Sequence, residues 1–180
     1  MEDKKCIKPI IESLLFAHEK PLTIENIEEV IPALERDEIA AIMAELMEEY
    51  NEADGKGIQV IEIANGYQMC TKKQYEQYIK KLLTDPKPKK ISKPALETLS
   101  IIAYKQPITR AEIEALRGVE SSGAIRSLLE ARFIKIGGRK DAPGRPIIYM
   151  TTEDFLIYFG LKNLGELPPL HEVKQLMEKK

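Results

Sequence analysis

Few residues in this sequence have the types and spacing that chemistry requires. Only two histidines occur, His18 and His171, and neither has a second metal ligand at helical spacing. Two cysteines, Cys6 and Cys70, make no disulfide framework and leave a tetrahedral zinc site short of ligands. Cys70 sits within an apolar–polar alternation and is expected to be a small buried hydrophobe. His18, at the end of a helical pattern, is expected to favour that helix's dipole. The stretch 137–145, GGRKDAPGR, invites a phosphate-cradle reading. It lacks the Gly-x-x-x-x-Gly-Lys-Ser/Thr pattern, follows the wrong element and opens into a strand rather than a helix. No Gly-x-Ser-x-Gly elbow is present, and no base matches a nucleophile. The many carboxylates lie as pairs on amphipathic helices, where a solvated face explains them. The expectation is a non-enzyme with no catalytic residues, no metal ligands and no cofactor.

The elements that would position any site are organised by a repeat. Sliding the sequence by 86 positions sets Ala17, Pro21, Thr23, Ile27 and Glu28 on Ala103, Pro107, Thr109, Ile113 and Glu114. Ile39, Ile42 and Met43 fall on Ile125, Leu128 and Leu129. Towards the ends of the copies the offset drops to 80, where Thr71, Tyr75 and Tyr78 meet Thr151, Phe155 and Tyr158.

Each copy carries the same order of signals. Ile7, Ile10, Ile11, Leu14 and Leu15 recur at helical spacing up to Pro21, and Leu96, Leu99, Ile102 and Ala103 do so up to Pro107. Thr23 and Thr109 cap a short second helix, the latter with Glu112 at capping-box spacing. A third helix follows, striped by Ile39, Ile42, Met43, Leu46 and Met47, or by Ile125, Leu128, Leu129 and Phe133, with Ser121 and Ser122 as candidate caps. Two strand-like runs, 58–63 and 67–71, joined at Asn65-Gly66, signal a hairpin in the first copy. In the second, 133–136 and 146–150 flank the loop 137–145. A last helix carries Tyr75, Tyr78, Ile79 and Leu82, or Phe155, Leu156 and Phe159. Three helices followed by a hairpin predict a mainly α fold with small β-hairpins (α+β), two tandem winged-helix domains. The expected bounds are 1–83 and 92–162, joined by a Pro/Lys linker at 84–91 and followed by a tail at 163–180.

Composition sets the remaining limits. The chain has 180 residues, 43% hydrophobic, with no Trp and only 6% aromatics, so the cores are expected to be aliphatic. No apolar run reaches the roughly 18 residues that span a bilayer. The first residues, MEDKKC, lack a secretory layout, and a cytoplasmic location is expected. Residues 1–83 hold 10 Lys+Arg against 17 Asp+Glu, net −7, while the rest hold 17 against 12, net +5. A DNA reader needs basic and amide groups on its third helix. The first copy offers Glu35, Asp37, Glu38, Glu45, Glu48 and Glu49 there against Arg36. In the second copy the wing, with Lys135, Arg139, Lys140 and Arg145 against Asp141, is more permissive. Protein docking is therefore the first reading of the surface and a winged-helix DNA-binding regulator the alternative. The tail, with Leu161, Leu164, Leu167 and Leu170 followed by Val173, Leu176 and Met177, suits either a strap on its own domain or a partner helix.

Residues 95–118, ALETLSIIAYKQPITRAEIEALRG, residues 138–147, GRKDAPGRPI, and residues 164–170, LGELPPL, together resemble the segregation and condensation protein B family. The resemblance covers nearly the whole chain and is strongest from 92 to 170. It implies a homodimer paired through its first domains and bound by the kleisin subunit, segregation and condensation protein A. The kleisin would join it to the ATPase called structural maintenance of chromosomes, in chromosome condensation and partition at cell division, on the nucleoid, with DNA met weakly or indirectly. On that resemblance, kleisin contact is expected at Arg139, Lys140, Arg145, Tyr149, Leu164, Leu167 and Leu170. Self-association is expected at Ile58, Val60, Tyr67, Met43 and Met47.

Overall fold

The computed structural model describes residues 4–83 and 91–169. The chain divides into two compact units, Met1–Pro86 and Lys87–Lys180. Each mixes helices with one small antiparallel sheet.

The first unit runs α1 (Lys4–Ala17), α2 (Ile24–Val30), α3 (Arg36–Glu52), the hairpin β1 (Ile58–Ile63) and β2 (Gly66–Thr71), and α4 (Glu76–Leu82). Its core is aliphatic: Ile11, Leu15, Leu22, Ile27, Ile39, Met43, Leu46 and Val60 are buried together. Thr23 starts α2 by a reciprocal cap, in which its hydroxyl accepts from Asn26 N–H and Asn26 Oδ1 accepts from Thr23 N–H. The hairpin lies on the helices through two fastenings. Leu22 and Tyr67 exchange backbone hydrogen bonds at 2.8 and 2.9 Å. Asn51, at the end of α3, clamps Val60 with both amide atoms at 2.9 Å.

The hairpin turn sits one residue earlier than the Asn65-Gly66 signal suggests. Ile63 pairs with Gly66, so Ala64 and Asn65 form the turn, both at positive φ. Gly66 is needed for another reason. A Cβ there would stand 2.9 Å from Leu22 O, inside the bridge that attaches the hairpin to the unit.

The second unit runs α5 (Lys93–Lys105), β3 (Ile108–Thr109), α6 (Arg110–Arg117), α7 (Ser122–Glu130), β4 (Ile134–Arg139), β5 (Ile147–Thr151) and α8 (Glu153–Phe159). Its sheet order is β3-β5-β4. The core gathers Ala95, Leu99, Ile102, Ile113, Ile125, Leu128, Ile134, Phe155 and Leu156. Thr109 and Glu112 form the capping box that the spacing predicts. Ser121 stands at the start of α7 but makes no cap with its side chain. Its buried hydroxyl donates to Val119 O and accepts from Arg117 Nη1. β3 pairs Ile108 with Tyr149, a pairing that takes the place of the Leu22–Tyr67 bridge of the first unit. Gln106 supplies the clamp here, donating to Thr151 Oγ1 at 2.9 Å and accepting from Thr151 N–H at 2.8 Å.

Gly66→Ala is expected to destabilise the first unit by about 1–3 kcal/mol, the usual cost of overpacking against a rigid neighbour. An unfolding midpoint in urea unchanged from wild type would show that the bridge does not confine this position.

Candidate functional site

In the second unit the predicted contact residues belong to the β4–β5 hairpin. Its ladder slips between Ile136 and Gly138, leaving Gly137 as a bulge whose missing Cβ makes room for Met150 Sδ. Beyond the strands, the loop is held by Lys140 N–H to Pro146 O and Arg145 N–H to Ala142 O, both 2.8 Å. Arg139 Nη1 donates to Arg145 O at 3.0 Å, so these two exposed arginines are brought together. Lys140 is tied back onto the body of the unit by an ion pair with Glu112. That carboxylate also accepts from Thr109 N–H and Oγ1, each at 2.8 Å. The Lys140 ammonium first, then the Thr109 backbone and hydroxyl donors, hold Glu112 down to about 2. Tyr149 is buried beneath the hairpin. It reaches a groove of about 540 Å³ lined also by Arg110, Ala111, Glu114, Arg139, Pro146 and Ile147.

The tail residues are anchored elsewhere. Leu164 is exposed and Leu167 half-buried on the segment after α8, which the Tyr104 hydroxyl secures by donating to Pro168 O on the α5 side. Leu170 lies outside the described residues.

In the first unit the expected self-association residues separate into three kinds. Met43 and Val60 are fully buried core side chains and present nothing to a partner. They are core because they join one cluster with Ile11 and Leu15 of α1 and Ile27 of α2, a choice that apolar spacing does not encode. Met47 and Tyr67 are half-buried against that core. Ile58 alone is exposed, at 37%. An apolar strip on the closing helix, to which the sequence analysis gave no contact role, lies beside it. Tyr75, Tyr78 and Leu82, at i, i+3 and i+7 across the start and length of α4, are 36, 61 and 78% exposed. Tyr75 adjoins Ile58 through Gly57, whose Cβ position is 3.9 Å from the tyrosine ring.

The outer face of α3 is acidic. Lys8 spans Glu45 and Glu49 at 3.4 and 3.1 Å, and Lys56 reaches Glu49 at 3.2 Å while lying over the Tyr50 ring. The bonds from Lys8 and Lys56 hold the Glu49 carboxyl below its usual range. The Tyr50 hydroxyl donates to Glu12, which with burial pushes it up to about 12. Cys70 is free and half-buried. His18 is exposed, with Nδ1 donating to Lys20 O at 2.7 Å. Among the described residues no group of three or more His, Cys, Asp or Glu is arranged to hold a metal ion. No helix among them is long and apolar enough to cross a membrane.

Residues 9–170 match the family model described as segregation and condensation complex subunit ScpB. Segregation and condensation protein B of Symbiobacterium thermophilum is 52% identical over 163 residues, 91% of this chain and 73% of that protein. The protein of the same name from Clostridioides difficile is 44% identical over 96% of this chain and 97% of its own length. A solved chain, from a crystal structure of a dimer of the ScpB N-terminal domain complexed with ScpA peptide, is 33% identical. It covers 43% of this chain and 95% of that one, with a TM-score of 0.40.

Because the Glu112 carboxyl is depressed in the fold, its contribution to stability is complete above the ordinary value of 4.5 and is lost as pH falls towards about 2. The Glu112 side-chain carbon is expected to titrate by NMR with a midpoint near that lower value. A midpoint near 4.5 would mean that the Lys140 and Thr109 contacts do not form in solution.

Proposed function

The chain belongs to the segregation and condensation complex subunit ScpB family, and on that premise we propose that it is a non-enzymatic adaptor of the bacterial chromosome-condensation complex. It pairs with a second copy of itself and binds the kleisin subunit, segregation and condensation protein A, which links it to the structural maintenance of chromosomes ATPase. It acts in chromosome condensation and segregation, in the cytoplasm on the nucleoid. The observation that carries this reading is the family match across residues 9–170.

In this reading the two units are tandem winged-helix domains, 1–83 and 92–162, with a linker at 84–91 and a tail at 163–180. The support is their common order of three helices, a hairpin and a closing helix. Self-association uses side chains that the fold leaves outside, namely Ile58, Tyr75, Tyr78 and Leu82. These form a contiguous apolar strip of the kind that burial against a partner stabilises. Kleisin contact uses the second unit's hairpin, through Arg139, Lys140, Arg145 and the edge of Tyr149, together with Leu164, Leu167 and Leu170 of the tail.

A DNA-binding regulator is the weaker alternative. The cations Arg132, Lys135, Arg139 and Arg145 have no ion pair among the described residues, which is its one support. Against it, Arg126 on α7 is spent on Glu130, and the depression holding Arg132 and Lys135 also holds Glu153 and Asp154.

Light scattering on the purified chain is expected to give a dimer, and Tyr78→Glu or Leu82→Glu to give a monomer with unchanged far-UV circular dichroism. A wild-type monomer, or dimers that survive both substitutions, would remove this assignment of the strip. Co-expressed with its kleisin, the tagged chain should retain that subunit through washing. A kleisin that passes straight through would overturn the adaptor reading.

A further inference from the structure

We propose that the groove between α6 and β5 holds an extended peptide segment, which adds to the open edge of β5 at Ile147 and sets a carboxylate against Arg139. This rests on the reading of the chain as a polypeptide-binding subunit and specifies one chemistry for its second unit.

The edge follows from the ladder. β3 pairs with β5 at only two positions, Ile108 with Tyr149 and Thr109 with Ile148. Hydrogen-bonded and non-bonded pairs alternate along an antiparallel ladder. Thr109 N–H is committed to Glu112 in the cap of α6, so Ile108–Tyr149 is the bonded pair. The bridge in the same role in the first unit, between Leu22 and Tyr67, exchanges both bonds. Two residues further along β5, Thr151 N–H turns to the same side and donates to Gln106. Two residues back, the N–H and C=O of Ile147 must face that side as well. There β3 has ended and the chain has entered α6 at Arg110, so the edge opens into the 540 Å³ groove.

The lining selects the occupant. Ala111, Pro146 and Tyr149 give it an apolar wall. Arg110 is neutralised by Glu114 at 2.8 Å. Arg139 donates to the Arg145 carbonyl and, among the described residues, pairs with no carboxylate, so its charge is open to an anion. An extended peptide supplies a donor for Ile147 C=O, an acceptor for its N–H and, from a neighbouring Asp or Glu, the carboxylate. A phosphodiester backbone supplies no such donor. The first unit has no equivalent edge, because the residue two positions before Tyr67 is Asn65, within the hairpin turn at positive φ.

The test is an amide-resolved NMR titration of the full chain with an acetylated, amidated Glu-Val-Glu-Val-Glu-Val peptide, with its Gln-Val counterpart as control. The Glu-Val probe should shift the Ile147 and Ala111 amides. The Gln-Val probe, and Glu-Val on Arg139→Gln, should bind about tenfold more weakly, as expected for a lost charge-assisted hydrogen bond. Ala111→Trp, which fills the groove from an exposed helix position, should abolish the shifts. Equal binding of both probes, shifts confined to other residues, or stronger shifts of the same amides by a short DNA duplex would each overturn the proposal. A kleisin fragment separates the two readings. Kleisin binding without any Glu-Val response removes the groove and leaves the adaptor, whereas a Glu-Val response without kleisin binding does the reverse.

Discussion

In both units the residue just before the second helix, Leu22 or Ile108, pairs its backbone with a hairpin tyrosine, Tyr67 or Tyr149, and the rest of the unit is arranged around that pairing. The next residue, Thr23 or Thr109, caps the helix, so a strand end and a helix start occupy adjacent positions. This fixes where the hairpin meets the helices and which of its side chains enter the core. A carboxamide then secures the hairpin a second time, Asn51 on Val60 in one unit and Gln106 on Thr151 in the other. Buried strand ends leave polar backbone groups that cost free energy unless partnered, and these side chains partner them.

A shared frame leaves the surfaces free to differ. In the first unit the hairpin closes in a turn at Ala64 and Asn65, immediately beyond the bridge. In the second it extends past the bridge through a bulge at Gly137 to a loop bearing Arg139, Lys140 and Arg145. The first unit exposes apolar side chains on α4 and carries an acidic face on α3. The second exposes the Arg139 and Arg145 guanidinium groups, which pair with no carboxylate among the described residues, beside a β3 strand of two residues. Apolar burial without directional demand suits contact between like copies. An open ladder edge with a waiting charge suits a chain of different sequence.

Much of the frame was legible in the sequence, and the reasons are local. Thr109 and Glu112 sit three apart, which is all a capping box needs. The helical stripe of Ile39, Met43 and Leu46 is buried as its spacing requires. The bridges at Leu22 and Ile108 were not legible, because one or two β residues have no period to read. The turn at Ala64-Asn65 was displaced from its signal because Gly66 answers to Leu22, a neighbour remote in sequence. The site was legible only in part. Apolar spacing marks a buried face but not whether core or partner buries it, so Met43 and Val60 proved to be core and Tyr78 and Leu82 to be outside. The groove gave no sequence signal, since Arg139 and Tyr149 meet Arg110 and Ala111 only through the β3–β5 pairing.

The central claim is that these surfaces grip polypeptide rather than nucleic acid. Calorimetric titration of this chain with a kleisin fragment, and separately with random duplex DNA, across one salt series tests it most directly. The account predicts kleisin binding near micromolar or tighter, roughly −8 kcal/mol, with a shallow salt dependence. It predicts DNA binding that is weak throughout. Tight duplex binding that falls steeply with salt, alongside no heat from the kleisin fragment, would contradict it.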